Sequence, residues 1–196
     1  MANPKIAIIF YTTYGTNHQI ALAAQEAAEA AGAEVRLRRA AETAPQSVID
    51  GQEPWKAQLE KMKDIPEVSH DDMTWADGYF FSVPTRYGNL PSQMAAFIDT
   101  LGPLWQQGKL VNKTITATTS AQTAHGGREG TIQNLYKSAM HWGTIIVAPG
   151  YADEVKFEDG NPYGYSGTAG KFDDLGKKSV GFQAKRLVEI TARLNS

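Results

Sequence analysis

The feature that most constrains this chain is a repeated order of elements: a short apolar run, a polar loop carrying glycine, then a helical pattern. "KIAIIFY" (5–11) is continuous, apolar and isoleucine-rich, as a strand buried on both faces would be. It breaks into hydroxyls around Gly15, and an alanine-rich helix pattern over 18–31 follows, closed by Gly32. The order returns with "GYFFSV" (78–83), the loop "PTRYGN" (84–89) and an amphipathic pattern over 91–101. It returns again with "KTITATTS" (113–120), the loop "AQTAHGGREG" (121–130) and a helix over 131–141. "AEVRLRR" (33–39) and "TIIVA" (144–148) supply two more strands, and 178–194 the last helix. Residues 40–70 give few firm signals and read as a long surface connection with one helix near 56–63.

Five strands alternating with helices imply an α/β protein: a parallel sheet with helices on both faces. With 196 residues, one domain spanning 1–196 is expected. Ligands of such sheets bind beyond the carboxyl ends of the strands, where strand order switches. The loops 12–17, 84–89 and 120–130 are in that position.

The first loop, Thr12, Thr13, Tyr14, Gly15, Thr16 and Asn17, has neither the lysine of a Walker loop nor the glycine spacing of a dinucleotide fingerprint. Its hydroxyls, its glycine and the amides of the following helix suit one terminal phosphate monoester, or serve as plain capping and turn chemistry. In the second, Pro84, Thr85, Arg86, Tyr87, Gly88 and Asn89 combine a rigid start, an aromatic ring and a glycine. Backbone amides there can lie along the polar edge of a flat heterocycle. The third, with Ser120, Ala121, Gln122, Thr123, His125, Gly126 and Gly127, can wall the other side.

Composition narrows the partners. A net charge of −2 gives no field favouring nucleic acid or an anionic membrane, and no apolar run approaches membrane-spanning length. Without a signal-peptide pattern, a cytoplasmic location is the simplest expectation. The absence of cysteine removes thiolate nucleophiles and cysteine-ligated metals. His18 and His70 show no metal spacing and read as solvated; no metal site is expected.

"YTTYG", "PTRYGN", "HGGRE", "MHWG" and "NPYG", in this order across nearly the whole chain, resemble the WrbA-like NAD(P)H:quinone oxidoreductases. These are flavodoxin-like proteins that bind FMN. The resemblance implies a flavodoxin-like five-stranded sheet, FMN as cofactor, NADH or NADPH as co-substrate and a quinone as acceptor. It places the FMN phosphate in 12–17 and the isoalloxazine between 84–89 and 120–127. It assigns substrate contact to Tyr14, Tyr87 and Trp105, and catalytic positions beside the quinone to His141 and Tyr151. It also implies a homo-oligomer, dimer or tetramer, with homotetramer as the family form.

His141 ends a helix that starts on the flavin side, and about ten helical residues span roughly 15 Å. If His141 serves a flavin site, that site belongs to a neighbouring protomer; otherwise the residue caps its helix through the dipole. Three features depart from the commoner pattern. Thr16 stands where histidine is frequent. "SAQTAHGG" replaces a more glycine-rich loop, in a variant that also resembles some p-benzoquinone reductases. The stretch 152–178 is shorter than usual. The same fold and cofactor would also serve a flavodoxin-type electron carrier or an FMN reductase acting on azo or nitro compounds, and the fold alone could persist without its cofactor.

Overall fold

The computed structural model describes residues 3–195. In chain order the elements are β1 (Lys5–Phe10), α1 (Thr16–Ala30), β2 (Glu34–Arg39), α2 (Gln46–Asp50), α3 (Glu53–Lys61), α4 (His70–Trp75), β3 (Gly78–Pro84) and α5 (Ser92–Asp99). They continue with α6 (Gly102–Gln106), β4 (Thr114–Ala121), α7 (Arg128–Trp142), β5 (Ile145–Ile146), α8 (Val155–Asp159), β6 (Ser166–Thr168) and α9 (Asp174–Leu194). The sheet is parallel in the order β2-β1-β3-β4-β5, and β6 also pairs with β4. From β1 the chain steps one way to β2 and the other way to β3, so the switch in strand order lies between β1 and β3.

Alternation along β1 divides the core. Ile6, Ile8 and Phe10 pack with Ile20, Ala24, Val180 and Leu187 beneath α1 and α9. Ala7, Ile9 and Tyr11 pack with Met94, Ile132, Leu135 and Trp142 beneath α5 and α7. Each fully buried Ile or Phe of this kind contributes about 1.5–3 kcal/mol relative to exposure. The interior strand β4, "TITATTSA", is buried throughout, so its threonine hydroxyls need partners inside the protein. Thr116 Oγ1 accepts from Gln183 Nε2 at 2.7 Å, Thr119 Oγ1 donates to the Val83 carbonyl at 2.7 Å, and Thr114 and Thr191 share a 2.6 Å bond.

Two expectations need correction. The fifth strand does not run over 144–148. It is the two-residue β5 beside the start of β4, and the end of β4 is covered by β6, 20 residues later in the chain. The 147–165 excursion contains Pro149, Gly150 and Pro162, which interrupt the strand. Second, 40–70 carries α2, α3 and the start of α4, rather than one helix. The α4 end is specified by a capping box, Ser69 with Asp72, a local signal that apolar spacing does not carry.

Among the described residues no helix is long and apolar enough to cross a membrane.

Candidate functional site

All three loops converge on one cleft of about 720 Å³ at the carboxyl edge of the sheet. Of the sequence-assigned residues, Thr12, Thr13, Tyr14, Thr16, Asn17, Pro84, Thr85, Arg86, Tyr87, Ser120, Ala121 and Gln122 line it. Gly88, Thr123, His125, Gly126 and Gly127 line an adjoining hollow that shares Thr85 and Tyr87 with the cleft. Gly15 and Asn89 line neither hollow.

The first loop is held from below. Asn17 is buried; its Nδ2 donates to Ser82 Oγ at 3.1 Å, and Ser120 Oγ donates to its Oδ1 at 2.6 Å. These bonds tie the start of α1 to the ends of β3 and β4, so Asn17 and Ser120 are structural pins as well as lining. Gly15 has φ +102° and its N–H donates to Thr12 Oγ1 at 3.0 Å. No side chain caps α1, and its first intrahelical bond runs from Gln19 N–H to the Gly15 carbonyl. The amides of Thr16, Asn17 and His18 precede that bond and carry the positive end of the helix dipole. This uncapped end fits a phosphate monoester.

The second and third loops touch through glycine. A Cβ on Gly127 would lie 2.5 Å from Gly88 Cα, and both residues have φ +81°. Only glycine allows that approach in that conformation. Thr85 binds both sides: Gly88 N–H donates to its Oγ1 at 3.1 Å, and Thr131 Oγ1 donates to the same oxygen at 2.7 Å. Arg86 and Asn89 exchange backbone bonds of 2.8 and 2.9 Å, and Asn134 Nδ2 donates to Asn89 Oδ1 at 2.7 Å. The turn between them holds Tyr87 at φ 52° with its ring wholly in solvent. Arg86 is the one basic side chain among the described residues lining the cleft, and it donates to Thr13 Oγ1 at 2.7 Å.

Sequence reasoning missed Tyr11, Trp55, Leu90, Ser92, Gln93 and Ala169, which also line the cleft. Ala169 arrives because the turn after β6 is tied to the first loop, Gly170 N–H donating to Thr16 Oγ1 at 2.8 Å. Tyr11 was the readable one: a phenol ending a buried strand needs a partner. Burial, then the nearby Glu42, raises its pKa, so it is a neutral hydroxyl at physiological pH.

His141 and Trp105 lie elsewhere. The structure brings these two together, Trp105 Nε1 donating to the His141 carbonyl at 2.9 Å, but at the far end of α7, roughly 20 Å of helix from Arg128. Tyr151 sits in the 147–165 excursion on the outer edge of the sheet, half exposed and against the Phe157 ring at 5.1 Å. None of the three lines the cleft of its own chain. His18 is half-buried rather than fully solvated: its ring stacks on Phe10 at 5.2 Å and meets Gln58 Nε2 at 3.1 Å, and burial lowers its pKa. His70 is exposed, bonded to Thr100 Oγ1 at 3.1 Å.

With this geometry in place, comparison with known proteins is specific. The pattern of the NADPH-dependent FMN reductase family matches residues 4–155. An NAD(P)H dehydrogenase (quinone) from Deinococcus radiodurans is 55% identical, over 97% of this chain and 96% of that one. Another from Geotalea uraniireducens is 36% identical, over 97% and 98%. A solved WrbA-like flavodoxin from Agrobacterium tumefaciens superposes with a TM-score of 0.68 at 19% identity, covering 97% of this chain and 98% of that one; this likeness speaks for the fold. The uncapped helix end, the glycine-to-glycine loop contact and the match over most of the sequence agree, and the chain belongs to the NADPH-dependent FMN reductase family.

Proposed function

We propose that this protein is an FMN-dependent NAD(P)H:quinone oxidoreductase working as a single domain. The observation that carries the reading is the cleft itself: an uncapped helix N-terminus at one end and two glycine-joined loops at the other. FMN held in this cleft would supply the redox chemistry, hydride acceptance from NAD(P)H and two-electron delivery to a quinone, so the reading requires no protein nucleophile.

The chain's own part is to bind, orient and shield. Backbone amides at 16–18 hold the phosphate, and the hydroxyls of Thr12 and Thr16 keep that loop in shape through their bonds to Gly15 and Gly170. The 84–89 and 120–127 loops form the walls beside the ring, with Arg86 placing positive charge where a reduced, anionic ring gains from it. Tyr14 and Tyr87 present exposed rings beside the mouth, flat surfaces for a nicotinamide or a quinone.

His141 and Trp105 belong, in this reading, to the quinone side of a neighbouring copy's cleft, in a homodimer or homotetramer. What supports it is the exposed apolar surface around them: Trp105, Val111, Met140 and Ile145 are all exposed there, and such a patch favours association. Tyr151 is assigned to the same pocket. A cytoplasmic location suits a chain without cysteine.

The test is NAD(P)H oxidation by the purified, FMN-supplemented protein with and without benzoquinone. Oxidation that depends on quinone supports the reading. FMN that binds but is not reduced by either nucleotide points to an electron carrier instead, and no FMN binding at all overturns it.

A further inference from the structure

Glu42 lies in the loop after β2, where the sequence showed no site. Its carboxylate accepts from five donors. Tyr11 OH donates to Oε2 at 2.9 Å and Trp55 Nε1 to the same oxygen at 3.2 Å, while Gln93 Nε2 donates to Oε1 at 2.7 Å. The amides of Thr43 and Ala44 donate to Oε1 at 2.9 and 3.0 Å. Tyr11, Trp55 and Gln93 all line the cleft. All five donors are neutral, and among the described residues no lysine or arginine pairs with Glu42.

The compensating charge stands at the other end of a directed chain. Arg86 donates to Thr13 Oγ1 at 2.7 Å, Thr13 Oγ1 donates to Tyr11 OH at 3.4 Å, and Tyr11 OH donates to Glu42. Every hydrogen points from the cation toward the anion, so each bond polarises the next. Among the described residues Arg86 makes no ion pair. A carboxylate in direct contact would orient the guanidinium but cancel its charge in the cleft. Two intervening hydroxyls orient it and leave the charge available.

We propose that Glu42 is a positioning residue, which through Tyr11 and Thr13 holds Arg86 in the cleft as an oriented, uncancelled cation for an anionic flavin. This rests on the flavin reading above. It also explains Thr13: its proton is directed to Tyr11 and its oxygen accepts from Arg86, so the hydroxyl serves the chain and the loop's amides are left to the phosphate.

The experiment is fluorescence titration of FMN into the full chain and its Glu42→Gln, Tyr11→Phe and doubly substituted variants, with the reduction potential of the bound flavin measured for each. Glutamine puts a donor where only acceptors fit, whereas Tyr11→Phe removes one link and leaves the other four donors to Glu42. Each single substitution should weaken FMN about tenfold, and the double variant should be no weaker than the weaker single. In Tyr11→Phe, which keeps every charge, the potential should fall, because the reduced anion loses an oriented cation; loss of packing alone would leave it in place. Wild-type affinity and potential in Tyr11→Phe would overturn the inference, as would losses that multiply in the double variant. If Glu42→Gln fails to fold, Tyr11→Phe alone decides. No FMN binding by the wild type would overturn the flavin reading itself, and this inference with it.

Discussion

The two ends of the parallel sheet are built in opposite ways. At the carboxyl edge, three loops and the turn after β6, from distant parts of the chain, are bonded to one another: Arg86 to Thr13, Thr85 to Gly126, Ser120 to Asn17 and Gly170 to Thr16. At the amino edge, Trp105, Val111, Met140 and Ile145 meet solvent with apolar surface, and His141 stands among them. One end is self-sufficient in a single chain. The other leaves apolar surface to solvent, and in the proposed assembly a neighbouring copy covers it and receives His141 on its quinone side.

The sharpest way to break this contrast is at the glycine contact. Gly127→Ala would press a methyl group onto Gly88 from a backbone with φ +81°, and FMN affinity should fall roughly thirtyfold while the far-UV spectrum of the fold is retained. Unchanged affinity in a fluorescence titration would mean that the second and third loops do not form the flavin site together. The next effect is at the other end. His141→Ala should leave FMN affinity within about twofold and lower quinone turnover about tenfold; full turnover would reduce His141 to a helix cap. The smallest effect sharpens the cradle. Burial lowers the pKa of His18, in the first turn of α1, so the unfolded chain takes up a proton that the folded one resists. Stability should be full above about pH 6.5, the unfolded value, decline as pH falls through it, and level off below the folded value. A His18→Gln protein should lose that step in a melting-temperature series.

The sequence made the carboxyl edge legible because its signals are local. A buried run followed by hydroxyls and Gly15, or Pro84 ending β3, can be read without knowing what lies opposite. Glu42 could not be found this way. Its partners Tyr11, Trp55 and Gln93 are 31, 13 and 51 residues away, and a single glutamate in a weakly patterned stretch gives no periodicity to detect. The split fifth strand was lost for a related reason: "TIIVA" has strand propensity, but the excursion that follows hands half of the pairing to 166–168. His141 shows the remaining gap, since helix length indicates where a residue cannot reach, and the surface it meets belongs to another copy in the proposed assembly.

Quinone turnover by a co-expressed mixture of the Gly127→Ala and His141→Ala chains separates the two ends of the sheet. The first has a defective cleft and an intact far end; the second has the reverse. Mixed assemblies should regain turnover well above the sum of the two parents, because an intact cleft then meets an intact His141 from its neighbour. Turnover equal to that sum would contradict the account and place both functions within one chain.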